Sequence, residues 1–185
     1  MRKIVYNGKT KTEKDIIIRY PLMEDLTVMT DFINILSREQ TYIIVQGRQW
    51  TIEEEKEFLT KQLYDIEKRK TVHLLVFCSN VLIGSSTLQM KSDALAHEGV
   101  FDITIAKEYR GQGIGKLLMQ CVLDEGMKIL PDLKIVTLGI FGDNFVAKSM
   151  YEAFGFTEFG RLPKGVLHKG NYVDHVYLYK TVKDI

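Results

Sequence analysis

The stretch "EYRGQGIGKLL", Glu108–Leu118, decides how the chain is read. Three glycines fall within five residues, flanked by Arg110 and Lys116, and lead into the apolar spacing of a helix. The run "GVFDITIA", Gly99–Ala106, precedes it and reads as a strand. A strand that ends in glycines and then a helix presents unpaired amide N–H groups at the helix start. With the helix dipole, these amides make an anion site. Glycine suits it because a Cβ would hold a phosphate away from the backbone, and because such turns call for positive φ. Arg110 would add a guanidinium able to bind in two-pronged fashion.

Rival phosphate loops fail on spacing. A P-loop needs Ser or Thr after its lysine, whereas Leu117 follows Lys116. The dinucleotide fingerprint needs G-x-G-x-x-G on a first βαβ unit, whereas this loop is G-x-G-x-G on a later strand. A purely structural turn stays open on these residues alone.

Outward from the loop, the chain reads as one domain. "DIIIRY" (Asp15–Tyr20) is a strand stopped by Pro21. Leu26, Met29, Ile33 and Leu36 share a helical face. "TIEE" from Thr51 is a capping box opening a second helix, with Ile52, Leu59, Leu63 and Ile66 inside and its Glu and Lys residues outside. Val72–Phe77 and Val81–Met90 read as a hairpin, and Lys134–Phe141 as a further strand. "GDN" (Gly142–Asn144) offers a cap to a short helix that Gly155 ends. Strands near Thr157–Arg161 and Val173–Lys180 close the chain. Residues 1–14 are polar and basic and read as a loosely held arm, leaving 15–185 as the domain. The order β-αα-β-β-β-α-β-α-β-β gives an α/β or α+β domain, with the two strands joined by the Ile114 helix as parallel neighbours.

Bulk properties are those of a globular protein: 185 residues, 45% hydrophobic, 26% charged, formal net charge +1. Nothing there suggests a nucleic-acid or membrane binder. Cys78 and Cys121 read as reduced core thiols, so neither a disulfide scaffold nor a metal site is expected. The N-terminus lacks a signal peptide's apolar segment, so a cytoplasmic location is the expectation.

"RGQGIG" (Arg110–Gly115) resembles the Arg/Gln-x-x-Gly-x-Gly/Ala signature of the GNAT superfamily of acyl-CoA-dependent N-acetyltransferases. "GDNFVAKSMYEAFGF" (Gly142–Phe156) resembles that family's downstream segment, with Asn144, Ala147, Tyr151, Gly155 and Phe156 at its signature positions. The resemblance implies a single mixed, mostly antiparallel twisted sheet of about seven strands with four main helices and two central parallel strands splayed apart. It implies acetyl-CoA as co-substrate, with Arg110, Gly111, Gln112, Gly113, Ile114 and Gly115 at the pyrophosphate. Ile103 and Ile105 would pair with the pantetheine arm as an extra strand. Asn144 would touch that arm, although its local context is also that of a helix N-cap.

The implied reaction is attack of a primary amine on an acetyl thioester. Such an amine has a pKa near ~10, so it must lose a proton first. A backbone N–H such as that of Ile105 would receive the oxyanion. Tyr151 would return a proton to the thiolate; locally it also reads as a core aromatic. By resemblance of position Glu98 is the first candidate for proton acceptor, with Asp102 second and His97 third. Alternation places Asp102 on one face with Glu98, Val100 and Thr104, unless a bulge intervenes. Either acid also suits an ordinary cross-strand pair.

The acceptor would be the amine of a small molecule, an amino acid or a peptide N-terminus. Tyr42 and Trp50, in the segment Ser37–Trp50, are candidates for its pocket or for a packing plug. Gly170, Tyr172 and Asp174 resemble a "Gly-x-Tyr-x-Asp" ending of family members that acetylate such amines. Lys164, His168 and Lys169 would suit an anionic acceptor or a solvated hairpin tip. A non-catalytic acyl-CoA sensor of the same fold is the alternative. Oligomeric state is left open, a homodimer included.

Overall fold

The computed structural model describes residues 3–184. One eight-stranded sheet runs through the molecule in the order β1-β2-β3-β4-β5-β6-β8-β7. Its strands are β1 (Ile4–Lys9), β2 (Asp15–Arg19), β3 (Thr71–Cys78), β4 (Val81–Met90), β5 (Glu98–Ile105), β6 (Ile135–Phe141), β7 (Thr157–His168) and β8 (Asn171–Thr181). The helices are α1 (Leu26–Glu39), α2 (Ile52–Glu67), α3 (Ile114–Ile129) and α4 (Phe145–Ala153). Every neighbouring pair is antiparallel except β5 and β6, the two strands that α3 connects.

Two apolar layers hold the helices to the sheet. Leu118, Met119 and Val122 of α3 meet Leu74, Leu88 and Phe101 on one face, where Tyr151 and Phe156 also pack. On the other face Met29, Phe32 and Leu36 of α1 and Leu59 of α2 cover Leu75 and Leu82. The unbroken β4–β5 register, from Gly84 opposite Ile105 to Met90 opposite Gly99, shows that β5 has no bulge. Alternation along β5 therefore holds. Phe101, Ile103 and Ile105 pack in the α3 layer, and Asp102 and Thr104 face α1 and α2.

Three expectations change. Residues 4–9 are not a free arm but an edge strand that pairs with β2, which accounts for the eighth strand; residues 1–2 lie outside the described part. The burial of α2 follows Glu55, Leu59 and Gln62, while Ile52 is exposed. That face is helical in spacing but partly polar, so an apolar count misses it. The last two strands extend into the segment expected as a loop, meeting at the tight turn Lys169–Gly170, where both residues have positive φ. Pro163 is tolerated because β7 is a sheet edge and its register with β8 breaks between Leu162 and Val166.

Candidate active site

The site begins where β5 and β6 part. They pair only from Glu98–Val100 against Ile135–Thr137 and then diverge. β4 keeps one edge of β5 occupied throughout. The Ala106 N–H donates to Ile83 O at 2.8 Å, and the Asp102 carbonyl accepts from Ser86 Oγ at 2.6 Å, so even-numbered residues turn their backbone groups toward β4. Ile103 and Ile105 turn theirs into the gap left by β6. There the Ile105 carbonyl accepts from Arg110 Nε at 2.9 Å.

The glycine loop follows directly. Gly111 and Gly113 have φ of +74° and +82°. A Cβ on Gly111 would meet nothing within 4 Å, so conformation and not crowding requires glycine there. α3 starts at Gly113 without a side-chain cap. Its first-turn N–H groups at Ile114, Gly115 and Lys116 are thus left for an anion. Gly115 differs, because a Cβ on it would make only ordinary contacts, 3.7 Å from Met150 Sδ and 3.8 Å from Ile105 Cγ1.

Arg110 departs from expectation. Its guanidinium donates to both Glu39 carboxylate oxygens, at 2.5 and 2.9 Å, as well as to Ile105 O. It braces the end of α1 against the loop instead of facing the bare amides. The β1–β2 turn supplies what the sequence reading missed. Thr12 Oγ1 donates to Gln112 Oε1 at 3.0 Å, and the Lys11 stem lies 3.4 Å from where a Gly113 Cβ would stand. Neither residue carries a motif; only the pairing of β1 with β2 brings them here.

Across the gap, Asn144 caps α4 by accepting from the Ala147 N–H at 3.2 Å. Tyr151 lies on α4 with its ring edge-on to Phe101, centroids 6.2 Å apart. Burial first, and then the negative charge of Asp102, push its hydroxyl well above the usual phenol range. It therefore holds its proton at neutral pH.

On the α1/α2 side of the sheet lies a cavity of about 200 Å³. His73, Thr87 and Asp102 form a row across its floor, one from each of β3, β4 and β5. Thr87 Oγ1 donates to Asp102 Oδ2 at 2.5 Å. Asp102 is exposed through the cavity that it lines. Desolvation by the protein packed against it raises its pKa, against the lowering effect of Thr87's hydrogen bonds. His73 is fully enclosed and its pKa falls to about 4, burial outweighing the attraction of Asp25, so the ring is neutral. Met29, Phe32, Trp50 and Phe58 form the apolar wall. Asn34 fixes Trp50 by bonding both its N–H, at 2.7 Å, and its carbonyl, at 2.9 Å.

Glu98 sits apart, where β5 and β6 still pair. Burial would raise its pKa, but hydrogen bonds from Lys91 and Thr137 and the charges of Lys91 and His97 outweigh it and hold the carboxyl below its usual range. Tyr42 is not in the cavity wall; it packs on His168 and Phe141, with centroids 4.5 and 5.7 Å away. His168 is buried between Asp143 Oδ2 and the Gln40 carbonyl, each at 3.2 Å. Asp174 accepts from Arg161 and from the Lys164 N–H. The cavity wall contains no lysine or arginine.

The sequence pattern of the acetyltransferase (GNAT) family matches residues 30–156. The chain belongs to the GNAT acetyltransferase family. This acetyltransferase is 29% identical over 129 residues to the spermidine N(1)-acetyltransferase of Vibrio cholerae, covering 70% of this chain and 72% of that protein. Its fold is similar to that of a GNAT-family acetyltransferase from Streptococcus pneumoniae, with a TM-score of 0.82 and 23% identity over 91% of this chain and 99% of the other. It is also similar to yncA of Salmonella typhimurium, solved with its cofactor acetyl-CoA, with a TM-score of 0.79 and 16% identity over 92% and 95% of the two chains. The described GNAT domain contains no helix long and apolar enough to cross a membrane.

Proposed function

We propose that this GNAT acetyltransferase moves the acetyl group of acetyl-CoA to the primary amine of a small molecule, with Asp102 as proton acceptor and Tyr151 as proton donor. The gap between β5 and β6 carries the reading. It leaves Ile103 and Ile105 without a neighbouring strand on that edge, between the amide-lined α3 N-terminus and a cavity floored by Asp102. The pyrophosphate would lie on the amides of residues 111–115, beside Lys11, and the pantetheine arm along Ile103 and Ile105. The spermidine relative supports a small amine as acceptor, ahead of an amino acid or a peptide N-terminus.

The chemistry follows from the environments. The acceptor arrives as an ammonium ion and gives one proton to Asp102, whose raised pKa makes it a better acceptor than Glu98. The amine nitrogen bonds to the thioester carbon while the Ile105 N–H receives the oxyanion. Collapse breaks the C–S bond, and Tyr151 protonates the departing thiolate. The phenolate is reprotonated by proton release from the new amide nitrogen, and Asp102 returns its own proton to solvent.

Release of free thiol from acetyl-CoA, followed over a panel of amines, tests this reading. Tyr151→Phe and Asp102→Asn should each lower kcat by about 10²-fold or more, the usual worth of general acid–base catalysis, with acetyl-CoA affinity nearly unchanged. Full activity in Asp102→Asn together with a large loss in Glu98→Gln would transfer the proton-acceptor role to Glu98.

A further inference from the structure

The cavity holds a second carboxylate that acetyl transfer does not use. Glu55 is 5% exposed and lines the same cavity as Asp102. Among the described residues its carboxylate has neither a hydrogen-bond nor an ion-pair partner, unlike Glu54 beside it, which holds the Thr51 N–H and Arg48. Buried polar groups are normally paired, and a lone buried carboxylate is costly. A carboxylate that lines the cavity and has no partner in the protein describes a position whose partner is a ligand.

We infer that Glu55 binds a second ammonium group of the acceptor, so that the preferred substrate is a small diamine or polyamine whose far cation sits at Glu55 while its near nitrogen meets Asp102. The wall fits that ligand: two carboxylates, a neutral histidine, and no lysine or arginine. Trp50, Phe32 and Phe58 would enclose the methylene chain and offer ring faces to a cation. The same wall excludes a carboxylate-bearing acceptor, because an anion would meet two like charges with no counter-ion. An α-amino acid is thereby disfavoured, as is the anionic acceptor that Lys164, His168 and Lys169 suggest, since none of the three reaches the cavity.

The inference rests on the acetyl-transfer reading, and two measurements separate them. In the thiol-release assay, butane-1,4-diamine should show a KM at least about ten-fold below that of n-butylamine, the worth of one hydrogen bond to a charged group. Glu55→Gln should remove that advantage, bringing the KM values for the two amines together. Equal KM values for the two amines in the native enzyme would overturn the inference and leave acetyl transfer intact. Calorimetric binding of butane-1,4-diamine to the native protein and to Glu55→Gln, with CoA present, is the second measurement. Glu55-dependent binding without turnover of any amine would sustain the site and overturn the catalytic reading. No difference in diamine affinity between the native protein and folded Glu55→Gln would overturn the site.

Discussion

Glu55 carries a stability cost that its proposed role would explain. Burial raises its pKa to about 6 from an ordinary 4.5. Below 4.5 the group is neutral in both folded and unfolded chains and costs nothing through charge. As pH rises to about 6 and beyond, the unfolded chain gains a solvated carboxylate that the folded chain cannot match, so stability falls across that window. Glu55→Gln should therefore be more stable at pH 7.5 by about 1–2 kcal/mol, the gap closing as pH drops to 4.5. Urea denaturation of both proteins at the two pH values measures this. Equal stability at pH 7.5 would mean that the carboxylate has found a partner. Binding should respond in the opposite sense, with diamine affinity improving as pH rises through about 6 and the carboxylate ionises. Sequence could not single out this residue. In "TIEEEKEF" three glutamates stand in the first helical turn, where acids favour the dipole and read as a solvated face.

At the scale of the element, the strand–loop–helix unit was legible because its constraints are local. Positive φ at Gly111 and Gly113 and an uncapped helix start follow from residues adjacent in the chain. Gly113→Ala forces a Cβ onto a left-handed backbone and should destabilise the protein by about 1–2 kcal/mol, with a raised KM for acetyl-CoA. Gly115→Ala, with only ordinary contacts around its new methyl, should leave Tm and that KM nearly unchanged. Thermal melts and initial rates on both variants make the comparison; equal losses would show that space, not φ, sets the requirement. Tyr151, the proton donor we propose, stood out only through its flanking motif, since a buried tyrosine on a short amphipathic helix reads as core. Arg110 shows the limit of local reading. Its position in the loop was clear, but its partner Glu39 is 71 residues away.

That pairing matters for the whole molecule. α1 ends at Glu39, just before the segment that carries Trp50 into the cavity, while Arg110 opens the glycine loop. The ion pair is partly exposed, so its worth in stability should be below about 1 kcal/mol. Its effect should lie in alignment. Glu39→Ala is expected to raise KM for acetyl-CoA several-fold while Tm stays within a few degrees. In a double-mutant cycle with Arg110→Ala, the two losses should not add. Additive losses would show that the groups act independently.

By itself the sequence determined the order of strands and helices after β1, the parallel pair joined by α3, the glycine loop and the two-residue alternation in β5, whose faces the unbroken β4–β5 register then settled. Each of these follows from chain-local periodicity, turn chemistry or crossover handedness. Tertiary structure alone decided that β1 joins the sheet and brings Lys11 to the loop. It turned Arg110 toward Glu39, tied Glu98 to Lys91 and Thr137, and rotated α2 so that Glu55, of all its glutamates, faces His73 and Asp102. Burial and charge pairing depend on which surfaces the sheet brings together, and no spacing along one segment specifies the face that a distant segment will cover.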